Sequence, residues 1–274
     1  NVNGNIRLRP TSGTSRTLTF KNNVEIGSGC CQTGYFQFPG NAAENQTVII
    51  EGDLTFNNTN PGTIQLVNNT GSNLHKLIVK GNVDIPSGGT FNLGNGTNSN
   101  VLFEIQGESN NTFVNTGTAN LYRIIMNKGT DQNNSFTFNN TFTLSGPTSG
   151  AGISKAIELQ NGTLTLNNAG INLNLTTGDD DFEIPSTACL EVRQGQVNAT
   201  GNSGIQLRGK LLVSGGTVDM TGGDNYIEYS STGTATIEIT DGTLNIGSQV
   251  RRALGSDQGT LIYTQSGGVV NVGV

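Results

Sequence analysis

This chain of 274 residues has no tryptophan, a single histidine and three cysteines. Only 12% of its residues are charged, and 33% are hydrophobic where roughly 45% is usual. Each shortage excludes something. His75 lies beside Lys76 with no third group nearby to orient a base, which argues against a Ser-His-Asp or Cys-His system. It reads as a solvated loop histidine. Cys30 and Cys31 are adjacent and Cys189 is distant, too few for a disulfide framework. Free or locally paired thiols are expected, with a vicinal Cys30–Cys31 bond as an alternative. Lys and Arg total 14 against 20 Asp and Glu, a net charge of −6. That balance argues against a nucleic-acid partner, because phosphate neutralisation needs clustered cations. No apolar run is long enough to span a bilayer. There is no initiator Met and no signal peptide, so a mature segment or a fragment of a longer chain is expected.

Glycine is abundant, at 39 copies, with asparagine and threonine plentiful beside it. Low hydrophobicity alone would suggest disorder, but disorder brings high charge and no periodicity. Here the periodicity is strong. Ile157-Glu-Leu159 leads to Gly162-Thr-Leu164-Thr-Leu166, and Leu190-Glu-Val192 to Gly195-Gln-Val197-Asn-Ala199. Leu211-Leu-Val213 leads to Gly216-Thr-Val218-Asp-Met220, and Ile237-Glu-Ile239 to Gly242-Thr-Leu244-Asn-Ile246. A last copy ends in Gly268-Val-Val270-Asn-Val272. The anchoring glycines recur every 21 to 33 residues, a period that marks a stacked architecture. Apolar residues recur at every second position, which is strand periodicity. Because the unit repeats in one direction, equivalent strands should lie parallel and in register, unlike the partners of a hairpin. The expected fold is all-β: a right-handed parallel β-helix, or β-solenoid, of roughly ten to eleven coils. Gly and Asn supply its left-handed bends and Thr its strand faces.

The same rhythm runs through the first half, at Val48-Ile-Ile50, Leu77-Ile-Val79, Val83-Asp-Ile85 and Val101-Leu-Phe103. Residues 1–274 therefore read as a single β-helix domain, with Gly146 to Gly152 as a small-residue loop where a boundary could fall. No amphipathic helix offers a cap, which again suggests a segment cut from a longer chain. Residues 29–46 break the rhythm with a Cys- and aromatic-rich insertion containing Tyr35, Phe36 and Phe38. Aromatics on a loop can stack on a sugar ring or dock a partner; the plainer reading folds the loop over the solenoid's end or flank.

Glu158, Glu191 and Glu238 hold equivalent places in their repeats and should point outward as a column, with Glu228 a further member. Such a column could bind a cation or a basic partner; the plainer reading is a solvated face that blocks sticky edges. Asp179, Asp180, Asp181 and Glu183 form the densest acidic cluster, the kind of oxygen-rich loop that calcium takes, although the spacing matches no specific calcium loop. Thr90/Asn92, Thr141/Thr143, Thr163/Thr165, Thr217/Asp219 and Thr243/Asn245 should also point outward from one face. Ice-binding solenoids use a Thr-x-Thr array, but here the second position drifts to Asn and Asp.

Ala156-Ile-Glu-Leu-Gln-Asn-Gly-Thr-Leu-Thr-Leu166, Gly209-Lys-Leu-Leu-Val-Ser-Gly-Gly-Thr-Val-Asp219 and Ile227-Glu-Tyr-Ser-Ser-Thr-Gly233 resemble the β-helical regions of large secreted surface proteins of Bacteroidota. Autotransporter passengers have a similar Ser-Gly-Gly-Thr-Val phrasing. The resemblance implies export by the type IX system, a cell-surface or extracellular location and, for some members, attachment or gliding. It carries over no catalytic residue and no cofactor. The expected role is a non-enzymatic adhesin, stalk or filament component whose partner is a surface glycan, another protein or a copy of itself. A polysaccharide-binding or polysaccharide-cleaving β-helix is the first alternative, and an ice-binding solenoid the second.

Overall fold

The structure is a computed structural model that describes residues 5–8, 14–27, 34–149, 155–178, 180–223, 225–255 and 259–273. Cys30, Cys31 and Asp179 lie outside the described residues. Every regular element among the described residues is a β-strand, and the strand pairings described are all parallel. Among the described residues no helix is long and apolar enough to cross a membrane. Backbone contacts divide the chain into two compact units. One comprises Asn1–Ile125 with Asn139–Gly146, the other Met126–Phe138 with Pro147–Val274. The small-residue loop expected to hold a boundary thus begins where one division falls. Each unit is built of stacked parallel coils, and the β-solenoid has about nine turns in all, close to the ten to eleven expected.

In the first unit each coil carries three short strands. They are β1 (Asn5–Arg7), β2 (Arg16–Phe20) and β3 (Val24–Ile26), then β4 (Tyr35–Pro39), β5 (Gln46–Ile50) and β6 (Leu54–Phe56). The next coils hold β7 (Thr63–Val67), β8 (Leu74–Val79) and β9 (Val83–Ile85), then β10 (Thr90–Asn92), β11 (Asn100–Ile105) and β12 (Asn111–Asn115). β13 (Thr118–Leu121) follows, and β14 (Arg123–Asn127) carries the chain into the second unit for β15 (Ser135–Phe138). The chain returns for β16 (Thr143–Leu144). Strands stack by their place in the coil. β1, β4, β7, β10, β13 and β16 form one sheet, while β2, β5, β8 and β11 stack on one another, as do β3, β6, β9 and β12. Hydrogen bonds between coils link residues 30 apart in Lys21–Glu51 and 29 apart in Asp53–Asn82.

Alternation decides what goes inside. In β5, Gln46, Val48 and Ile50 are buried while Thr47 and Ile49 are half-buried. The first unit fills its interior with aromatic rings. Phe91 meets Phe103 edge-on at 5.6 Å and Phe56 at 6.3 Å, and Phe113 meets Phe142 at 6.1 Å. Fully burying one such side chain stabilises by about 1.5–3 kcal/mol.

The second unit continues with β17 (Ile157–Leu166), β18 (Asn172–Thr176) and β19 (Phe182–Ile184), then β20 (Ala188–Val192), β21 (Gln196–Thr200) and β22 (Ile205–Leu207). In the following coils two strands fuse into one long bent strand: β23 (Lys210–Gly222) precedes β24 (Ile227–Tyr229), and β25 (Thr234–Ile246) precedes β26 (Val250–Arg252). The last described strands are β27 (Thr260–Gln265) and β28 (Val269–Val272). The corner of β25 falls at Gly242, whose φ is +78°. A Cβ there would come within 2.2 Å of the Gly216 carbonyl oxygen in the coil below, so the bend admits glycine alone without a shift. The core is largely aliphatic: Leu164, Leu190, Leu211 and Ile237 stack in one file, and Leu173, Val197, Val218 and Leu244 in another.

The register corrects the expected phasing of the first repeat copy. Leu190-Glu-Val192 stacks on Leu164-Thr-Leu166, not on Ile157-Glu-Leu159. Gln196–Thr200 stacks on Asn172–Thr176, not on the segment after Gly162. Both halves of the repeat alternate in the same way, so sliding by half a unit keeps every apolar residue inward. Only the pairing of whole coils distinguishes the two phases.

Candidate functional site

The third face of the second unit, β19-β22-β24-β26, carries a file of polar and charged side chains. Its first positions, Phe182, Ile205, Ile227 and Val250, stack one on another, the first three buried. The next position faces out, so Glu183, Gln206, Glu228 and Arg251 stand in a file one coil apart. Arg208 donates to Glu183 at 2.7 Å, and Arg251 to Glu228 at 2.8 Å. The Arg251 guanidinium also covers the Tyr226 ring, 3.8 Å from its centroid. Pairs this exposed contribute about 0–1 kcal/mol each, so they set geometry more than stability.

Asp181 ties this face together. Its carboxylate accepts from the Gly204 N–H at 2.7 Å, from Gln206 Nε2 at 3.1 Å and from the Tyr226 hydroxyl at 3.2 Å. Partial burial, then the neighbouring Asp181 charge, pushes the Tyr226 phenol above its usual range. Two grooves open here with Gln206 in both walls. One, of about 290 Å³, is lined by Lys155, Glu158, Asp180, Asp181 and Glu183. The other, of about 390 Å³, is lined by Arg208, Glu228, Tyr229 and Ser230. Guanidinium, carboxylate, amide and phenol groups side by side can hydrogen-bond a polar ligand such as a sugar chain.

The expected calcium loop is occupied by the protein itself. Lys155 is 4% exposed, and its Nζ donates to the carbonyl oxygens of Asp180, at 2.7 Å, and Asp181. Thr176 Oγ1 lies 3.5 Å away. An ammonium thus takes the oxygens a cation would need. Burial lowers the Lys155 pKa, against which the Asp180 and Asp181 charges act. Asp181 and Glu183 point to different partners, and among the described residues no group of three or more His, Cys, Asp or Glu converges on a metal position.

The expected glutamate column does not form. Glu191 lies across from Thr165 in one neighbouring coil and Leu212 in the other, and Leu212 separates it from Glu238. Glu191 is buried, held by Arg193 at 2.9 Å, Thr165 at 2.9 Å and Ser214 at 3.1 Å. Glu238 pairs with Lys210 at 2.7 Å. Glu158 accepts from Gln160 at 2.6 Å and lies in the groove wall with Asp180, away from the other two. The half-unit slip moves Glu158 out of the file, while Glu191 and Glu238 keep equivalent places two coils apart with Leu212 between them. The Thr pairs likewise do not share one face. Thr217/Asp219 stacks on Thr243/Asn245, whereas Thr163/Thr165 stacks on Cys189/Glu191 and Thr90/Asn92 belongs to the first unit.

Tyr35–Pro39 of the aromatic insertion form a strand, not a loop. β4 stacks on β7 in full register, with Phe36 and Phe38 in the core at 2% and 0% exposure. Neither ring is open to a sugar; Tyr35 alone of the three faces outward, across from Thr63. Phe36 and Phe38 stand two positions apart with Gln37 between them, the spacing of an inward strand face, and the flanking glycines obscured it.

His75 is likewise no loop residue. It sits in β8 with no exposed surface, its ring 5.7 Å from that of Phe38. The Gln46 N–H donates to Nδ1 at 2.9 Å, so the proton sits on Nε2 and is donated to the Pro39 carbonyl at 2.9 Å. Burial lowers its pKa. Cys189 is a free buried cysteine whose thiol is pushed up to about 12, first by burial.

The residues that line the grooves were readable in one signal not used above. Phe182-Glu-Ile184, Ile205-Gln-Leu207, Ile227-Glu-Tyr229 and Val250-Arg-Arg252 are the same triplet, one per coil. The Lys155 contacts left no such trace.

Fold and grooves together define a parallel β-solenoid with a polar outward face. No protein family, curated protein or solved structure matches this chain.

Proposed function

We propose that this chain is a non-enzymatic β-solenoid of the cell surface or extracellular space, working as an adhesin, a stalk or a filament component. One observation carries this reading. The side chains best suited to catalysis are engaged in holding coils together: Glu183 with Arg208, Glu228 with Arg251, Glu238 with Lys210, and His75 with Gln46 and Pro39. A stack of coils offers long outward faces for contact, and repeated weak contacts add by avidity. The resemblance to secreted surface proteins supports the location.

Beads coated with the purified chain test this reading. Attachment to bacterial or host cell surfaces, with no new reducing ends or unsaturated uronates from polysaccharides incubated with it, is the expected result. Enzymatic release of either product rejects the reading. A second reading, a polysaccharide-cleaving β-helix, draws on the groove that gathers Glu158, Asp181 and Glu183. Under that reading Glu183→Gln abolishes product release while wild type cleaves.

A further inference from the structure

The outward side of the sheet β1-β4-β7-β10-β13-β16 in the first unit differs from every other face. From β4 onward its outward positions carry no formal charge. Tyr35, Thr63, Thr90 and Thr118 lie directly across from one another in successive coils. Two residues further along the strands Gln37 faces Gln65, and Asn120 lies between Asn92 and Thr143. None of the described pairings of this sheet carries a register shift, whereas shifts interrupt β18–β21, β21–β23 and β23–β25 in the second unit. The face is therefore a two-dimensional grid, with rows about 4.8 Å apart along the stack and about 6.6 Å apart along the strands.

Within the grid Thr143 donates to Asn120 at 2.7 Å and Asn92 accepts from the Gly94 N–H at 3.2 Å; the remaining polar groups are uncommitted. Thr63, Thr90, Thr118, Gln37 and Gln65 are half-buried or exposed. Their side chains make no hydrogen bond to any described residue, in contrast to the ion-paired outward file of the second unit. A grid of hydroxyls and amides without charge offers nothing specific to an ionic ligand, and its rows of Thr, Gln and Asn offer little to an apolar protein core. It suits a partner that is neutral, periodic and covered in hydroxyls. We propose that this face binds a neutral, extended polysaccharide running along the stack. Coils recur roughly every 4.8 Å, so the polar groups repeat along the stack on the scale of a sugar residue. Each ring would exchange water for a threonine hydroxyl and an amide, with Tyr35 available to stack on a ring at one end. Single contacts are weak, and binding comes from repetition over successive coils. The inference rests on the adhesin reading above and names its ligand.

The test measures retention of the full chain on cellulose, chitin and mannan against pectate and alginate, followed by calorimetry with neutral oligosaccharides of increasing length. Retention on at least one neutral polymer, with affinity rising with oligosaccharide length, is expected. Thr63→Lys/Thr90→Lys should lose at least about tenfold in affinity, or about 1.4 kcal/mol. Thr63→Ser/Thr90→Ser should keep it, and both variants should melt as wild type does. Equal binding by the Lys variant, a preference for the acidic polymers, or thermal hysteresis in ice growth without glycan binding each overturns the proposal. The two readings fail separately. If the Lys variant still attaches to cells as wild type does, this face falls and the adhesin reading stands. If wild type binds neutral glycan but attaches to no cell surface, the adhesin reading falls and the face stands.

Discussion

The two compact units solve the same problem with different means. The first packs rings: Phe91 alone touches Phe56, Phe103 and Phe113. It keeps strict register on one sheet whose outward positions carry no charge from β4 onward. The second packs mainly aliphatic side chains beyond the ring pair of Phe136 with Phe138, fuses strands at glycine corners and accepts register shifts. Its outward faces carry ion pairs from coil to coil. The difference teaches that stacking itself requires only an inward apolar file and a corner that lets backbones nest. What each unit displays outward is then free to differ, an even neutral grid in one and a polar trough in the other.

Removing a ring should separate the units most sharply. Phe91→Ala is expected to cost about 3–5 kcal/mol, because three neighbouring rings border the cavity. Leu190→Ala in the second unit should cost about 2–4 kcal/mol, since a smaller side chain leaves a smaller void. Urea unfolding followed by circular dichroism checks both; equal costs would remove the proposed contrast in packing. Next in size is the corner. Gly242→Ala meets both a left-handed φ and the Gly216 carbonyl, and should cost about 1–3 kcal/mol. Gly233→Ala, with φ +73° but nothing within 4 Å of the added carbon, isolates the backbone part of that cost.

The pH response should distinguish the units by window. His75 in the first unit is buried neutral, with a folded-state pKa below its ordinary 6.5. The unfolded chain therefore takes up a proton first. This contribution is complete above pH 6.5 and is lost as pH falls from there towards the lowered folded value, by at most about 1.4 kcal/mol per pH unit. Lys128 in the second unit is lowered by burial from 10.5 to about 8. The sign is the same but the window is not, because stability from Lys128 rises as pH climbs from about 8 to 10.5. Melting temperatures recorded from pH 4 to 10 on wild type, His75→Gln and Lys128→Met check this; a His75→Gln profile still falling in the same way below pH 6.5 would contradict it. The smallest effect belongs to the trough, where Arg208→Gln should change stability by less than about 1 kcal/mol.

Much of the fold was legible in the order of residues because strand alternation and anchoring glycines are local signals. Parallel stacking followed from the one-way repeat. What remained hidden was set by coil-to-coil pairing. The phase of the first repeat copy could not be read, since both halves of the unit alternate alike, and Glu158 left the expected glutamate file with it, while Glu191 and Glu238 kept their places. His75 reads in sequence as a loop residue because a neutral imidazole satisfied by two backbone groups looks like any polar residue. The candidate site was half legible. Its acidic members were noticed as a cluster, but Lys155, whose ammonium fills that cluster, lies 25 residues from Asp180 in the chain. Such a contact has no sequence signature.

The central claim is that like strands lie directly above one another, coil on coil. In a Cys30→Ser/Cys31→Ser background, Thr217→Cys/Thr243→Cys places two thiols on facing positions of adjacent coils. Their Cα atoms are expected about 4.8 Å apart, inside the range a disulfide spans. Mild oxidation should join them within one chain, as peptide mass mapping would show, while Gln196→Cys/Thr243→Cys, two coils apart, should remain reduced. The reverse outcome, with the distant pair joined and the adjacent pair free, would contradict the stack.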